Sequence, residues 1–569
     1  MRPKTFARPG GEGIILAALL LFGIMLFVLP MALLFAQGLA PGGRPGLAPL
    51  AEALASRAVR RALVNSLDSA AMSSLLALVA GTGLALLIGL TDLRGRAVLV
   101  FLILLPMMIP PHVTAIAWTQ TLGPSSALLG ALGLAPSPGT SNPLYSRGGV
   151  IALLAVQSTP LVFLVMLAAC RTLPRDGVEA ARVSGAGPGL ALRRVVLPLL
   201  GPAMVAAGML AFVSALGNFG IPALLGIPGR YTTLPVLIYQ RLSAFGPGML
   251  PGVAVLSVLM AVVAATALVA QRVLARRAAV RLTGGAQGAL RLRLGRARPL
   301  VEGALWALVA GVVLVPLAAL VATALVPVYG VPLNAGTLTL DNFREVLGRQ
   351  PATRRAFGNS ALAAGVAGVV LAAVAVLAAR FSVARGPVSR RLGAGFTGAA
   401  DLAYAVPGIV ISIAFILTFL RPLPLLDISI YGTLGIIILA YLAAFAAIAL
   451  KPVAAAQSQL DPALDEAARV CGAGLGRRIA RIQAPLLAPA AASGAILVFL
   501  TAYNEITVSA LLWSRGNETI GALIFNYDQS GAGTIAAAMA VVTVAVTAAV
   551  LFGLDRAGRH LPPGVVPWR

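Results

Sequence analysis

Two polar segments of this chain, far apart in sequence, carry the same charged residues at the same spacing. The segment VEAARVSGAGPGLALRRVVLPLLGP begins at Val178, and the segment DEAARVCGAGLGRRIARIQAPLLAP begins at Asp465. A single offset of 287 residues (465 minus 178) aligns them without a gap, and more than half of the aligned positions are identical. Each segment contains a glutamate, Glu179 or Glu466, whose carboxylate can bind a basic partner or an arginine of its own segment. These carboxylates can therefore take part in electrostatic binding.

We expect each segment to fold as two short helices that bend at a glycine. Paired alanines after the glutamate give a surface that another protein can approach closely, and a glycine six residues after the glutamate permits a positive φ. An amphipathic helix lying in the membrane interface would have a similar composition. Duplication with matched spacing favours a docking site instead. The residues concerned are Glu179, Ala180, Ala181 and Gly185 in the first copy and Glu466, Ala467, Ala468 and Gly472 in the second.

The rest of the chain is too apolar to fold as a soluble globule. Of its 569 residues, 59% are hydrophobic and 11% are charged, and the mean hydropathy is +0.94. A membrane-spanning helix needs about 20 apolar residues. The sequence therefore predicts an all-α polytopic membrane protein with about twelve transmembrane helices, at residues 14–37, 64–90, 97–121, 149–170, 195–217, 251–274, 300–326, 358–380, 393–420, 430–450, 485–510 and 533–554.

The chain divides into two repeats of six spans each. We place the first repeat at residues 1–280, a basic cytoplasmic linker at 281–298 and the second repeat at 299–569. Outside the loops the similarity is weaker, although RALVNSL at Arg61 resembles RAFGNSA at Arg355 and Pro110 pairs with Pro407. Because six spans separate equivalent points, the repeats have the same orientation and are related by an axis along the membrane normal.

The charge distribution predicts which side of the membrane each loop faces. The net charge is +25, and most of the Lys and Arg residues fall on one side if the N-terminus is cytoplasmic, as the positive-inside rule requires. This places both termini and both repeated loops, at 173–197 and 460–484, in the cytoplasm. Contact with anionic lipid headgroups accounts for these arginines, and we expect no nucleic-acid partner.

The chain contains no motif for nucleotide hydrolysis and no metal-binding pattern. A phosphate-binding loop ends in Gly-Lys-Ser/Thr, and neither lysine of the sequence, Lys4 or Lys451, follows such glycines. His112 is the one histidine within a predicted span, and a single ligand does not make a metal site. We therefore expect a protein that is not an enzyme, with no cofactor and no metal site.

Polar residues near the outer end of the fifth span of each repeat are candidates for the transport pathway. Glu505 follows Asn504 at the end of the eleventh span, and its repeat partner is Asn218. Ionisable residues in or near spans are costly and mark functional sites by default. These three residues are predicted to line an outer vestibule that favours a cationic or hydrogen-bonding solute. Alternatively, they are polar helix ends that anchor in the interface.

The repeated segments resemble a known family signature. The pattern EAA, three residues, G and a later LP, with Pro198 and Pro485 in the two copies, is similar to the cytoplasmic loop of binding-protein-dependent ABC importer permeases. Two copies fused in one chain look most like the ferric iron permeases, an arrangement shared with thiamine and some phosphonate permeases. The resemblance implies that each loop is a coupling helix seated in a groove of an ATPase subunit.

The resemblance also implies the function and the partners. It predicts the permease subunit of an ATP-driven importer in the bacterial inner membrane, with two ATPase copies below and a periplasmic solute-binding protein above. Ferric iron is the favoured solute, and thiamine, aminoethylphosphonate and a polyamine remain alternatives. A gradient-driven secondary transporter is the alternative of another class. It is disfavoured because ion coupling usually needs ionisable residues deeper in the bundle and would give the repeated loops no role.

Overall fold

The protein is helical throughout the part of the chain that the structure describes. A computed structural model provides the coordinates, and its regular elements are all helices, which confirms the predicted all-α class. The described residues are 11–560, apart from 41, 42, 44, 138, 172, 174–178, 182, 245–248, 279–293, 383–385 and 423–426, together with 562, 565 and 566. Most of the predicted linker, 281–298, therefore lies outside the described residues.

The first repeat contains four straight helices and one bent pair before its last span. Among its described residues the helices are α1 (Gly11–Leu39), α2 (Ala48–Ala55), α3 (Arg57–Leu90), α4 (Arg96–Met108), α5 (Pro111–Leu122), α6 (Ala127–Ala131), α7 (Arg147–Arg171), α8 (Gly189–Leu216), α9 (Leu234–Leu242) and α10 (Met249–Ala278).

The second repeat follows the same order, with further short helices in its loops. Its described helices are α11 (Gly295–Ala324), α12 (Asp341–Arg344), α13 (Pro351–Ser382), α14 (Pro387–Ala405), α15 (Gly408–Phe419), α16 (Leu434–Ser458), α17 (Ala463–Val470), α18 (Leu475–Tyr503), α19 (Ser509–Leu512), α20 (Ile520–Gln529) and α21 (Gly533–Ala557).

Two of the predicted spans are not continuous helices. Within the described residues, 10 helices are long and apolar enough to cross a membrane, or up to 12 if each bent pair is one span. The spans predicted at 97–121 and 393–420 are these pairs, α4 with α5 and α14 with α15, bent by 103° and 112°. The sequence analysis gave each of these segments as one span, and the structure divides each into two helices.

Proline explains both bends. A residue before proline is driven out of the helical region by the proline ring, and Ile109 and Val406 have extended ψ values of 129° and 130°. Pro110 and Pro407 are themselves extended, with ψ 140° and 138°. The predicted pairing of these two prolines is therefore confirmed by their common conformation.

Each repeat is built on three packed helices, and its first helix reaches the other repeat. The cores are α3, α7 and α8 in the first repeat and α13, α16 and α18 in the second. Helix α1 packs on α10 of its own repeat and on α15 of the other, and α11 packs on α21 and α5 in the same way. This exchange joins the two halves into one bundle.

An Asn-Ser pair at the start of each core ties the third helix of its repeat to an outer loop. The serine hydroxyl accepts from the first backbone N–H of α9 or α20, and the asparagine amide donates to a loop carbonyl. This duplication confirms the resemblance between RALVNSL and RAFGNSA. The bonds are Asn65 to Thr232 O (2.9 Å) and Leu234 N to Ser66 (2.7 Å) in the first repeat, and Asn359 to Glu518 O (3.0 Å) and Ile520 N to Ser360 (3.0 Å) in the second.

An ion pair strengthens the second of these attachments. Glu518, only 7% exposed, accepts from Arg355 at 3.0 Å. Burial alone would raise the pKa of the Glu518 carboxyl, but the hydrogen bonds from Arg355 and from the backbone hold it below its ordinary value. The outer loop before α20 is thus held to α13 by both charge and amide contacts.

The Asn-Ser attachments give a first prediction. Ser360→Ala leaves the buried Ile520 N–H without its acceptor, which costs about 1–3 kcal/mol, so the apparent midpoint of thermal unfolding in detergent should fall. Ser458→Ala is the matched control, because its hydroxyl is exposed and bonds within its own helix. Equal midpoints for the two variants would contradict the structural role of Ser360.

Candidate functional site

The second repeated loop has the predicted shape of a helix, a glycine bend and a second helix. Helix α17 begins two residues after Asp461, whose carboxylate accepts from Ala463 N at 2.9 Å. The helix ends at Val470, and α18 begins at Leu475. Glu466 and Ala467 are exposed on α17, and Ala468 is half-buried.

Gly472 closes α17 with a left-handed turn. Cys471 N donates to Ala467 O at 3.0 Å, and Ala473 N donates to Ala468 O at 2.9 Å. Gly472 has φ +74°, which is the conformation that this type of helix end requires. A Cβ on this glycine would meet nothing within 4 Å, so the backbone conformation, rather than space, calls for glycine.

The first loop forms the same turn at the equivalent positions. Ser184 N donates to Ala180 O at 3.0 Å, and Ala186 N donates to Ala181 O at 2.9 Å. Gly185 has φ +86°. Glu179 and Ala180 are exposed and Ala181 is half-buried, as in the second copy. Residues 174–178, just before Glu179, lie outside the described residues.

Each loop exposes a valine just before its glycine turn. Val183 is 90% exposed and Val470 is 89% exposed, and the offset of 287 makes them equivalent. A bulky apolar side chain exposed at the same point of two loops indicates a contact surface for another protein. The sequence analysis did not single out these valines, although both copies of the motif contain the letters EAARV.

The second helix of each loop continues into a membrane-spanning helix. A π-helical turn, Leu192–Val196 in one copy and Ile479–Gln483 in the other, lies just before Pro198 or Pro485. The wider turn suits proline, which lacks an N–H and crowds the preceding turn. The motif prolines therefore mark a local widening of α8 and α18.

A cluster of five charged groups holds the second loop to other helices. Arg380, with only 5% of its side chain exposed, contacts Glu12 at 2.7 Å and Asp465 at 3.0 Å. Arg478 contacts the same carboxylates at 3.4 Å and 3.0 Å. Arg469 adds longer contacts to both, at 3.8 Å and 3.5 Å. The cluster joins α17, α18 and α13 to the N-terminal end of α1.

The corresponding positions of the first loop cannot build this cluster. The offset of 287 pairs Asp465 with Val178 and Arg478 with Ala191, and neither of these residues carries a charge. The sequence analysis missed the cluster because its members are scattered over 466 residues, between Glu12 and Arg478. The sequence did offer one indication of the cluster, because Asp465 and Arg478 are charged in the second copy and uncharged in the first.

Two of the three pathway candidates cap the turn that follows the fifth span. Asn218 accepts from Ile221 N at 3.2 Å. The Glu505 carboxylate accepts from Val508 N at 2.9 Å and from Ser509 N at 3.2 Å. Since Ile221 and Val508 are repeat equivalents, the amide and the carboxylate have the same structural role.

The third candidate is also engaged, and no metal centre is formed by the described residues. Asn504 donates to Thr547 at 3.4 Å, while its amide oxygen is buried without a hydrogen-bond partner. His112 is fully buried with no partner at either ring nitrogen. Within the described ranges no group of three His, Cys, Asp or Glu side chains is placed to hold a metal ion.

The glycine turn gives a second prediction. Gly472→Ala forces an L-residue into the left-handed region at a cost of about 1 kcal/mol, so amide exchange in the peptide containing Ala473 should rise about fivefold in deuterium-exchange mass spectrometry. Gly476→Ala, on the helical side of the same loop, is the control, since alanine favours a helix. Faster exchange in the control, or none in Gly472→Ala, would refute the requirement for glycine.

The charged cluster gives a third prediction. Arg380→Met leaves Glu12 without its closest cation and removes one of the two arginines that lie 3.0 Å from Asp465, so the apparent unfolding midpoint should fall by an amount corresponding to about 1–3 kcal/mol. The exposed Arg481→Met is the matched control. Combining Arg380→Met with Glu12→Gln should cost less than the sum of the single changes, because the two residues share one interaction. Strict additivity would show that they do not interact.

Comparison with known families matches two parts of the chain, one in each repeat. Residues 81–280 and 373–566 match the family described as "Binding-protein-dependent transport system inner membrane component". A protein of Sinorhizobium fredii named as a probable ABC transporter permease is 29% identical over 480 residues, covering 83% of this chain and 82% of that protein.

Two further relatives align over about the length of one repeat. A protein of Haloferax volcanii named as a probable molybdenum ABC transporter permease is 34% identical over 225 residues, covering 39% of this chain and 77% of that protein. A permease of Salmonella typhi named for 2-aminoethylphosphonate transport is 30% identical over 224 residues, covering 38% of this chain and 75% of that protein.

Proposed function

The chain belongs to the family of binding-protein-dependent transport system inner membrane components, and from this premise we propose that its two repeated loops are the points at which an ATPase drives import. The matched parts cover more than two thirds of the chain. As a member of this family it is the permease subunit of an ABC importer, an integral membrane protein with many spans.

The equivalence of the two loops is the observation that carries the proposal. Both end in the same pair of backbone hydrogen bonds around a positive-φ glycine, and both expose a valine by about nine tenths. Helices that only lay on the lipid would not need the same residue exposed at the same point of the turn. Two copies of one ATPase have identical grooves, so the two loops that bind them must present the same residues in the same conformation.

The direction of the coupling follows from the sequence and the fold. ATP hydrolysis is assigned to a separate subunit, because neither Lys4 nor Lys451 belongs to a phosphate-binding loop. The excess of arginine supports a cytoplasmic position for both loops and both termini. Since each loop continues into α8 or α18, closure of the ATPase dimer would draw these two helices together, while a receptor loaded with solute binds on the other face.

The solute is a small molecule or ion delivered by that receptor. Ferric iron stays a candidate from the fused two-repeat arrangement, and relatives named for molybdenum and 2-aminoethylphosphonate add two others. Because the described residues form no three-ligand metal site, a metal would cross without a protein cage, as a chelate or as part of an anion. Selection among these solutes is assigned to the receptor.

Receptor-stimulated ATPase activity tests both the coupling and the solute. The chain would be purified with the ATPase and the receptor encoded beside it and placed in lipid nanodiscs. The receptor would be loaded in turn with ferric iron, molybdate, 2-aminoethylphosphonate or thiamine. One loaded receptor should raise ATP hydrolysis above the level with the empty receptor. An ATPase that neither binds nor responds would overturn the coupling role and favour a gradient-driven transporter.

The exposed valines give a fourth prediction. Val183→Asp together with Val470→Asp puts a charge where the partner groove is expected to be apolar, so the ATPase should no longer copurify, while the permease itself stays folded because both sites are exposed. Val328→Asp, at a 62% exposed valine on the opposite side, is the matched control. Full retention of the ATPase by the double variant would remove the valines from the interface.

A further inference from the structure

Three aromatic rings meet at the boundary between the two repeats. Phe219 and Tyr239 come from the first repeat, and Phe525 comes from the second. The ring centroids are 5.1 Å apart for Phe219 and Tyr239, 5.7 Å for Phe219 and Phe525, and 5.9 Å for Tyr239 and Phe525. These are ordinary contact distances for aromatic pairs, so no solute fits between the rings.

Two of these rings are equivalent residues of the two repeats. Helices α9 and α20 start at Leu234 and Ile520, whose backbone N–H groups are both held by the serine of an Asn-Ser pair. Tyr239 and Phe525 each lie five residues after that start. The segments LPVLIYQ and IGALIFN also share their apolar pattern, which supports this alignment.

A contact between equivalent residues fixes their distance from the symmetry axis. When a two-fold axis relates two repeats, a point and its equivalent lie on opposite sides of the axis at equal distances. The Tyr239 and Phe525 centroids are 5.9 Å apart, so each lies about 3 Å from the axis that relates the repeats. The aromatic contact therefore lies close to the symmetry axis, and a pathway between the two repeats must run along this axis.

The aromatic contact lies at the end of the symmetry axis that is far from the repeated loops. Helix α8 has 28 residues from Gly189, near the glycine turn of the first loop, to Leu216, a rise of about 40 Å at 1.5 Å per residue. Phe219 comes three residues after its end, in the turn that Asn218 caps. By the charge distribution this is the outer end.

Two of the three rings are buried among apolar residues, and Tyr239 is half-buried. Phe219 is fully buried and Phe525 is 3% exposed. Neighbouring residues of the two short helices, including Leu234, Ile238 and Ile524, are also fully buried. A hydrated polar solute therefore meets a closed apolar barrier here, and the rings must separate for it to enter.

We propose that Phe219, Tyr239 and Phe525 form the closed outer gate of the translocation pathway. The proposal rests on the family membership and on the relation between the repeats, and it does not depend on how the loops engage an ATPase. The gate is asymmetric, because the repeat equivalent of Phe219 is Ile506. The first repeat thus contributes two of the three rings.

Ion conductance of the purified chain in a planar lipid bilayer tests the gate without ATPase or receptor. Tyr239→Ala with Phe525→Ala should conduct potassium and chloride under conditions in which the unmodified protein does not. Phe22→Ala with Phe27→Ala is the matched control, because it removes an aromatic pair of similar spacing, 6.3 Å, from within α1. If the Tyr239→Ala, Phe525→Ala variant folds and conducts no more than the control variant, the proposal is overturned.

A cysteine pair keeps the proposal testable if the alanine pair fails to fold. Tyr239→Cys and Phe525→Cys would be introduced with Cys170→Ala and Cys471→Ser and treated with dibromobimane, which fluoresces only when both of its arms have reacted. The untreated pair should conduct, and bridging should abolish that conductance because the bimane fills the gap. Absence of bridging, or conductance that bridging leaves unchanged, would contradict a gate at this contact.

Discussion

The hydrocarbon core of the membrane is the constraint on which the rest of this structure depends. Backbone groups find no water there, so the chain must satisfy them within helices or by side chains at every break. The breaks in this protein occur where such side chains exist. Asn218 and Glu505 cap the turns after α8 and α18, and Ser412 donates to Val508 O at 2.8 Å beside the second bend.

Because the chain is duplicated, these local features occur twice and are related by one axis along the membrane normal. Equivalent glycine turns stand at one end of α8 and α18, and equivalent residues of α9 and α20 touch at the other. The long continuous helices between them join a docking surface to a barrier. The duplication is not complete, because Asp465 and Arg478 anchor the second loop to α1 and α13, whereas the first loop has uncharged residues there.

Much of this organisation could be predicted from the sequence, since local patterns encode it. The glycine turns, the motif prolines and the Asn-Ser pairs each depend on residues close in the chain, and the apolar runs mark the spans. The sequence analysis gave 97–121 and 393–420 as single spans, because hydropathy does not measure direction and cannot give the bends of 103° and 112°. The contact of Phe219, Tyr239 and Phe525 and the partners of Glu12 depend on how helices pack, which no short segment records. Glu505 was noticed as an ionisable residue, but its backbone partners become visible only in three dimensions.

The distance between the two loops through the transport cycle tests the central claim most directly. Leu190 and Arg477 are exposed, equivalent positions beside the glycine turns, and spin labels on cysteines there, with Cys170 and Cys471 replaced, would report it by double electron–electron resonance. ATPase-driven coupling predicts that the distance shortens when the assembled transporter is trapped with ATP and vanadate, and that it recovers after nucleotide is removed. A distance that stays the same in both states would contradict the claim that the ATPase acts on the permease through these loops.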